Sequence, residues 1–254
     1  MLIFMIDIFV INLESSVERK QHIIEQLDAL QTQFHVFPAV NGRDPEQKIL
    51  AMYNDGLSQA YRCKSLSKGQ LGCYASHYLL WQKCVELNKP IIILEDDIVF
   101  DKQNFTEFYN LAPKLDAKYE CIRLFANHRR KVSVKNIETI DKLTINRSSK
   151  GHMRGMGYFL TPNGAKKFLQ HSKQWYMAVD IYMDRFWING VEPYGIDPIL
   201  LTVDPSFDSD IGYEKNAKRL ITTRCRREYF NFIENVKRII HNLKFAVKHK
   251  LNKG

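Results

Sequence analysis

The chain is short of the residues that mark disulfide-stapled, zinc-stapled or classical nucleotide-binding domains. Only five cysteines occur among 254 residues, Cys63, Cys73, Cys84, Cys121 and Cys225. Their number is odd, no C-x-x-C pair exists, and no histidine cluster stands at zinc-ligand spacing, which argues against a disulfide framework and a structural zinc module. Reduced thiols in a cytoplasmic protein fit this usage, with Cys73 and Cys84 packed on a helix. No G-x-x-x-x-G-K-[ST] segment is present, so P-loop chemistry is disfavoured. No G-x-G-x-x-G follows a strand, and the glycine-bearing "GHMRGMG" (151–157) precedes one, so dinucleotide redox chemistry is disfavoured as well. No apolar run reaches the roughly 18 residues of a membrane helix. The opening "MLIFMIDIFVINL" carries Asp7 and lacks both a basic leader and a small-residue cleavage site, and it reads as a buried first strand.

What is present is ordinary in amount and uneven in placement. Hydrophobic residues make up 45% and charged residues 26%, the balance of a globular chain with a substantial core. The net charge of +9 is confined to the end: residues 218–254 hold 11 lysines and arginines against Glu228 and Glu234, while residues 1–217 hold 26 bases and 26 acids. A nucleic-acid binder of pI 9.2 would spread its basic residues over a groove face with interleaved aromatics, and the neutral body argues against that class. In the basic segment Phe232, Ile233, Val236, Ile239, Ile240, Leu243 and Val247 recur at helical spacing among Lys237, Arg238, Lys244, Lys248 and Lys250. Such a helix either lies on an anionic membrane, each base contributing roughly 1 kcal/mol near that surface, or packs on the body.

Strand and helix patterns alternate along residues 1–217. Strands are expected at 6–13, 33–40, 91–100 and 119–126, with helices at 14–30 and 65–90 capped by Ser67. Asn104 and Glu107 stand at capping-box spacing. Residues 151–172 read as a glycine-rich loop, a strand and a helix started by Pro162, followed by a helix at 177–190 and a strand and turn at 193–206. This order predicts one α/β domain over 1–217 with a mostly parallel central sheet flanked by helices, and a basic amphipathic tail over 218–254.

The most informative stretch is "IIILEDDIVFD" (91–101). A continuous β-branched run marks a central strand, and it ends in Glu95, Asp96 and Asp97. Three like charges at the end of a buried strand call for a cation, and ligands of open α/β sheets sit at such carboxyl ends. Alternation sends Glu95 and Asp97 to one side and Asp96 to the other. Two carboxylates on one side suit Mg²⁺ or Mn²⁺ shared with a phosphate group; the alternative is an acidic turn paired with lysine or arginine. With P-loop and dinucleotide chemistry disfavoured, a nucleotide-diphosphate leaving group remains.

Five blocks then occur in order: "FVINLESSVERK", "LSKGQLGCYASHYLLWQKCVE", "IIILEDDIVF", "GMGYFLTPNGAKKFL" and "AVDIYMDRFW". Together they resemble glycosyltransferase family 25, the lipopolysaccharide and lipooligosaccharide biosynthesis transferases. The resemblance implies a GT-A-like fold, a UDP-sugar donor, inversion at the anomeric carbon, and Mn²⁺ or Mg²⁺ at a D-x-D-like motif. Glu95, Asp96 and Asp97 match that motif with Glu in the first place. Asp97 is then the direct metal ligand, with Glu95 on the metal, the ribose or a water, and Asp96 beside the donor. The family's acidic residue falls at Asp180, the candidate base, for which helix capping is the alternative reading. Asp184 reads as a solvated or Arg185-neighbouring charge. Asn12 and Arg19 follow the first strand, where the nucleotide binds in such folds. Gln70, Ser76 and His77 belong to a family block, and Gly155 and Gly157 permit close approach to the sugar. Asp208 and Asp210, after the last strand, read as charges of a solvated loop, the alternative being that one completes the metal shell. Trp81 reads as core, and Trp175 and Tyr176 as acceptor contacts.

The implied reaction moves a hexose, galactose first and glucose next, to a lipooligosaccharide acceptor in a β linkage, on the cytoplasmic side of the inner membrane. An inactive relative serving as a membrane-associated assembly partner is the alternative.

Overall fold

Residues 91–94 form an unbroken apolar run because the strand they build is covered on both faces. The computed structural model describes residues 6–129, 131–207 and 221–251, the first four of the last segment by backbone alone. Its strands are β1 (Asp7–Asn12), β2 (Phe34–Pro38), β3 (Ile91–Glu95), β4 (Ile98–Phe100), β5 (Cys121–Arg123), β6 (Val134–Ile140), β7 (Leu143–Ser148), β8 (Gly157–Leu160), β9 (Tyr194–Asp197) and β10 (Leu201–Val203). Its helices are α1 (Val17–Ala29), α2 (Asp55–Arg62), α3 (Lys68–Leu87), α4 (Lys102–Leu111), α5 (Pro162–Gln170), α6 (Val179–Met183), α7 (Phe186–Asn189) and α8 (Ile221–Leu251).

Eight strands form one sheet in the order β2-β1-β3-β8-β5-β9-β7-β6, and β4 pairs with β10 apart from it. The α/β class holds, but the sheet is mixed where a mostly parallel one was expected. Three pairings are parallel, β1 with β2, β1 with β3, and β5 with β9. The other four are antiparallel, because β8 runs against both of its neighbours and the β6–β7 hairpin docks on β9 in the same sense. The hairpin has no counterpart in the sequence reading. β6 is mostly exposed and shows no apolar alternation, and its turn rests on Asp141 in the left-handed region at φ 53°.

On one face of the sheet Ile92 and Leu94 pack with Ile23 and Leu27 of α1 and Phe105 and Phe108 of α4. On the other, Ile91 and Ile93 pack with Ala75 and Trp81 of α3 and Phe168 of α5. Each of these buried isoleucines, leucines and phenylalanines contributes about 1.5–3 kcal/mol, and a one-residue slip would exchange the two faces. The register is therefore pinned right up to Glu95. α3 begins at a capping box between Ser67 and Gln70 and stops at Asn88, left-handed at φ 49°. α4 starts earlier than the Asn104–Glu107 spacing suggests: Asp101 is its cap and accepts the Asn104 amide at 3.0 Å.

α8 lies against the body through one face. Arg185 donates twice to Glu234, at 2.6 and 3.0 Å, Asn242 joins Arg147 and the Ser149 carbonyl, and His241 meets Glu192 at 2.6 Å. The other face leaves Phe232, Ile239, Leu243 and Val247 exposed. Among the described residues no helix is long and apolar enough to cross a membrane.

Candidate active site

β1 and β3 are parallel neighbours, with Ile11 opposite Glu95, so Asn12 and the acidic cluster emerge together at the carboxyl edge of the sheet. Asp96 turns toward α1. Asn12 Nδ2 donates to its Oδ2 at 2.6 Å and Arg19 Nη1 to its Oδ1 at 3.1 Å, and burial still raises its carboxyl above the ordinary range. For Asp96 the paired-turn alternative therefore describes the geometry. Asp97 is less well compensated. Arg19 stands 3.8 Å from Oδ2, while Oδ1 is buried with no hydrogen-bond partner. Burial, and then the neighbouring charge of Glu95, push the Asp97 carboxyl up to about 6.

Glu95 continues the opposite face of β3, toward α3. His77 Nε2 lies 3.5 Å from Glu95 Oε1, and its Nδ1 is 2.9 Å from the Tyr158 hydroxyl. Trp81 Nε1 also meets that hydroxyl at 2.9 Å. An indole only donates, so the tyrosine oxygen accepts there and its proton is free to go to Nδ1. Assigned from this network, the His77 proton sits on Nε2, which faces Glu95 at 3.5 Å without making a hydrogen bond. Cys73, one helical turn before His77, brings its sulfur within 4.8 Å of the same atoms. An unpartnered buried oxygen on Asp97 beside the Glu95 carboxylate is the donor set that fits a divalent cation.

Asp180 and Asp184 stand one turn apart and grip the loop 151–154. Asp184 is 2% exposed and accepts the His152 and Met153 amides, each at 2.9 Å, and Arg129 Nη2 at 2.6 Å, with Arg123 at 3.8 Å. The solvated reading of Asp184 is corrected accordingly: it is a buried clamp. Met153 and Arg154 are both left-handed, at φ 58° and 62°, an arrangement that costs on the order of 1 kcal/mol or more for each side-chain-bearing residue and persists only when held. A Cβ on Gly151 would overlap the Asp184 carboxylate. Asp180 accepts the Arg154 amide at 3.4 Å and its neighbouring Ile181 amide at 2.8 Å. Burial raises its carboxyl, with Asp184 and Glu95 adding to the rise, which moves it toward the range of a general base.

Two cavities meet at the acids. The larger, about 850 Å³, is lined by Glu95, Asp97, Asp180 and Gly155, and also by Arg62, Trp187 and Arg238. The smaller, about 120 Å³, is lined by Ile11, Arg19, Val40, Ser76 and His77, and it shares Cys73, Glu95 and Asp97 with the larger. The sequence profile of glycosyltransferase family 25 (LPS biosynthesis protein) matches residues 5–183. The chain belongs to that family.

Relatives within and around family 25 are similar over limited stretches. A glycosyltransferase 25 family member of Drosophila melanogaster is 30% identical over 171 residues, 64% of this chain and 27% of the relative. Procollagen galactosyltransferase 2 of Mus musculus is 25% identical over 170 residues, again 64% and 27%. Lipooligosaccharide biosynthesis protein lic2B of Haemophilus influenzae is 32% identical over 92 residues, 36% of this chain and 33% of that protein. The first of these matches spans about a quarter of the relative's length. A solved glycosyltransferase involved in the glycosylation of the major capsid of PBCV-1 gives a TM-score of 0.35 at 8% identity over 65% of each chain, a likeness too low to argue from.

Within the family 25 segment the expected residues divide. Ser76 bridges the Val40 amide and the Gly72 carbonyl, both at 2.8 Å, and so fixes α3 beside the smaller cavity. Gln70 lines the larger cavity while closing the α3 capping box. A Cβ on Gly155 would stand 3.1 Å from Glu95 Oε1 and 3.2 Å from His77 Nε2, so the missing side chain keeps that corner open. Gly157 is a packing residue, since a Cβ there would overlap Leu201. Trp175, expected at the acceptor, is fully buried and stacked on Tyr74 at 4.5 Å, in the core beside Trp81. Tyr176 is half-buried against Tyr61 and, like Trp175, lines neither cavity. Asp208 and Asp210 lie outside the described residues. Sequence reasoning missed Cys73, whose i, i+4 spacing to His77 was the available signal, and Arg62 and Arg238 as cavity residues, which no local pattern connects.

Proposed function

We propose that this family 25 member is an inverting, GT-A-like hexosyltransferase that moves galactose, or else glucose, from a UDP-sugar to a lipooligosaccharide acceptor in a β linkage. The observation that carries the reading is the junction itself: three carboxylates, Glu95, Asp97 and Asp180, line one cavity of sugar-and-acceptor size beside a smaller one edged by Arg19 and Ser76. The names of the galactosyltransferase and lipooligosaccharide relatives support the choice of sugar and acceptor.

In this reading the smaller cavity takes the nucleoside, with Asn12 and Arg19 holding Asp96 in place. Glu95 and Asp97 would hold Mn²⁺ or Mg²⁺, which when bound offsets charge on the departing diphosphate. His77 stands 3.5 Å from the Glu95 carboxylate, on the edge of the smaller cavity. Asp180 removes the proton from the acceptor hydroxyl as that oxygen attacks, and its raised affinity for a proton suits the task. The loop 151–155, held by Asp184, sets the distance between base and donor.

The outward stripe of α8 docks the protein on the anionic cytoplasmic leaflet of the inner membrane. Phe232, Ile239, Leu243 and Val247 are exposed there, and Lys237, Lys244 and Lys248 are exposed beside them. UDP release from a panel of UDP-hexoses, with a lipooligosaccharide acceptor and then with EDTA, tests the whole reading. Metal-dependent release with one hexose supports it. Silence across the panel favours the inactive assembly partner.

A further inference from the structure

The larger cavity has an acidic side and a basic side, and the mechanism above uses only the first. The basic side comes from four elements: Arg62 ends α2, Arg129 follows β5, Arg185 follows α6, and Arg238 belongs to α8. Two of these arginines share one carboxylate, Arg185 at 2.6 Å and Arg62 at 3.7 Å from Glu234 Oε2. Arg129 shares Asp184 with Arg123. Arg238 rests on the Trp187 ring at 6.0 Å and has no carboxylate within ion-pair distance among the described residues. Glu228 of α8 also lines this side, so four arginines face three acids, Asp184, Glu228 and Glu234.

Burial, and then one another's charge, lower the proton affinity of Arg62 and Arg238: Arg185 and Arg129 act on both. On the other side burial raises Asp97 and Asp180, and the charge of Glu95 adds to both. The basic side of the cavity is under-neutralised.

We infer that the wall built by α2 and α8 is a subsite for an anionic substituent, phosphate or carboxylate, on the acceptor sugar. The inference rests on the transferase reading, which places the donor on the acidic side. Guanidinium groups suit this role because their paired N–H groups meet the two oxygens of a carboxylate or phosphate together. The wall favours an acceptor carrying such a group near the hydroxyl that is glycosylated and discriminates against the neutral sugar.

The test is calorimetric titration of the full chain with glucose 6-phosphate, glucuronate, glucose and UDP. It is run on the native protein, Arg238→Gln, Arg62→Gln/Arg238→Gln, and Lys237→Gln as an exposed control on the same helix. The expected result is that one anionic sugar binds and glucose does not. Its affinity falls about tenfold in the double variant, falls less in Arg238→Gln, and holds in the control, while UDP affinity stays unchanged. Arg238→Gln removes no ion pair and keeps the fold even if the double variant does not. The phosphate and carboxylate arms say which anion is taken. Equal binding by native protein and Arg238→Gln, or no anionic sugar bound at all, overturns the inference. Loss of UDP in step with the sugar also overturns it, by giving the wall to the donor diphosphate. If UDP fails to bind while the anion still responds to the variants, the subsite stands and the donor reading fails.

Discussion

Asp97→Asn should separate stability from function. In the fold the Asp97 carboxyl titrates at about 6, against a usual value near 3.8. The folded protein therefore holds this proton more tightly than the unfolded chain does. Below about pH 4 both states are protonated and the group costs nothing; the cost grows as pH rises to 6 and is complete above it. At 1.36 kcal/mol for each pH unit, the ionised side chain destabilises the metal-free fold by up to about 3 kcal/mol at neutral pH. The asparagine carries no charge and avoids that cost. Urea unfolding in EDTA should show the variant more stable by as much as about 3 kcal/mol at pH 7.5, and no more stable than the native protein at pH 4. Added Mn²⁺ should raise the native midpoint at pH 7.5 and leave the variant unmoved. A variant equal to or weaker than the native protein at pH 7.5, or a difference that does not change with pH, would refute the reasoning.

Asp184→Asn should cost about 3–5 kcal/mol, because it leaves Arg129 and Arg123 without their shared buried carboxylate. Limited proteolysis should then cut near 151–154, the loop that Asp184 holds. Gly155→Ala should fold normally, since the Cβ meets side-chain ends at 3.1 and 3.2 Å, but it should raise the donor KM about tenfold by displacing Glu95 and His77. Phe232→Ser/Leu243→Ser should abolish co-sedimentation with anionic vesicles while leaving turnover on a soluble acceptor intact, because both side chains face outward.

The legible and illegible parts of the site differ in how local they are. β3 and its acidic end could be read directly, since an apolar run without alternation demands cover on both faces, and three acids after it demand compensation. Pairing of Asp96 with Asn12 and Arg19 could be suspected only as one of two options, because their separation in sequence is 84 and 77 residues. The burial of Asp184 is illegible for the same reason: its partners are arginines far along the chain and backbone amides of a loop that no periodicity marks. Trp175 sits where aromatic residues often meet sugars, yet the bridge between Tyr53 and Trp175 pulls its ring inward onto Tyr74. The mixed sheet was hidden because β8 and the β6–β7 hairpin choose their direction through pairing partners far along the chain. In sequence α8 reads as a helix that either docks on a membrane or packs on the body, and it packs with one face while leaving the other exposed.

The most direct test of the proposed metal site at Glu95 and Asp97 is calorimetric titration of UDP-galactose and UDP-glucose into the protein with Mn²⁺, then with EDTA, beside Asp97→Ala. Binding of one UDP-hexose that requires the metal and disappears in the variant is the predicted result. Binding that survives both EDTA and the loss of Asp97 would contradict the account, and would leave the acidic cluster a structural turn.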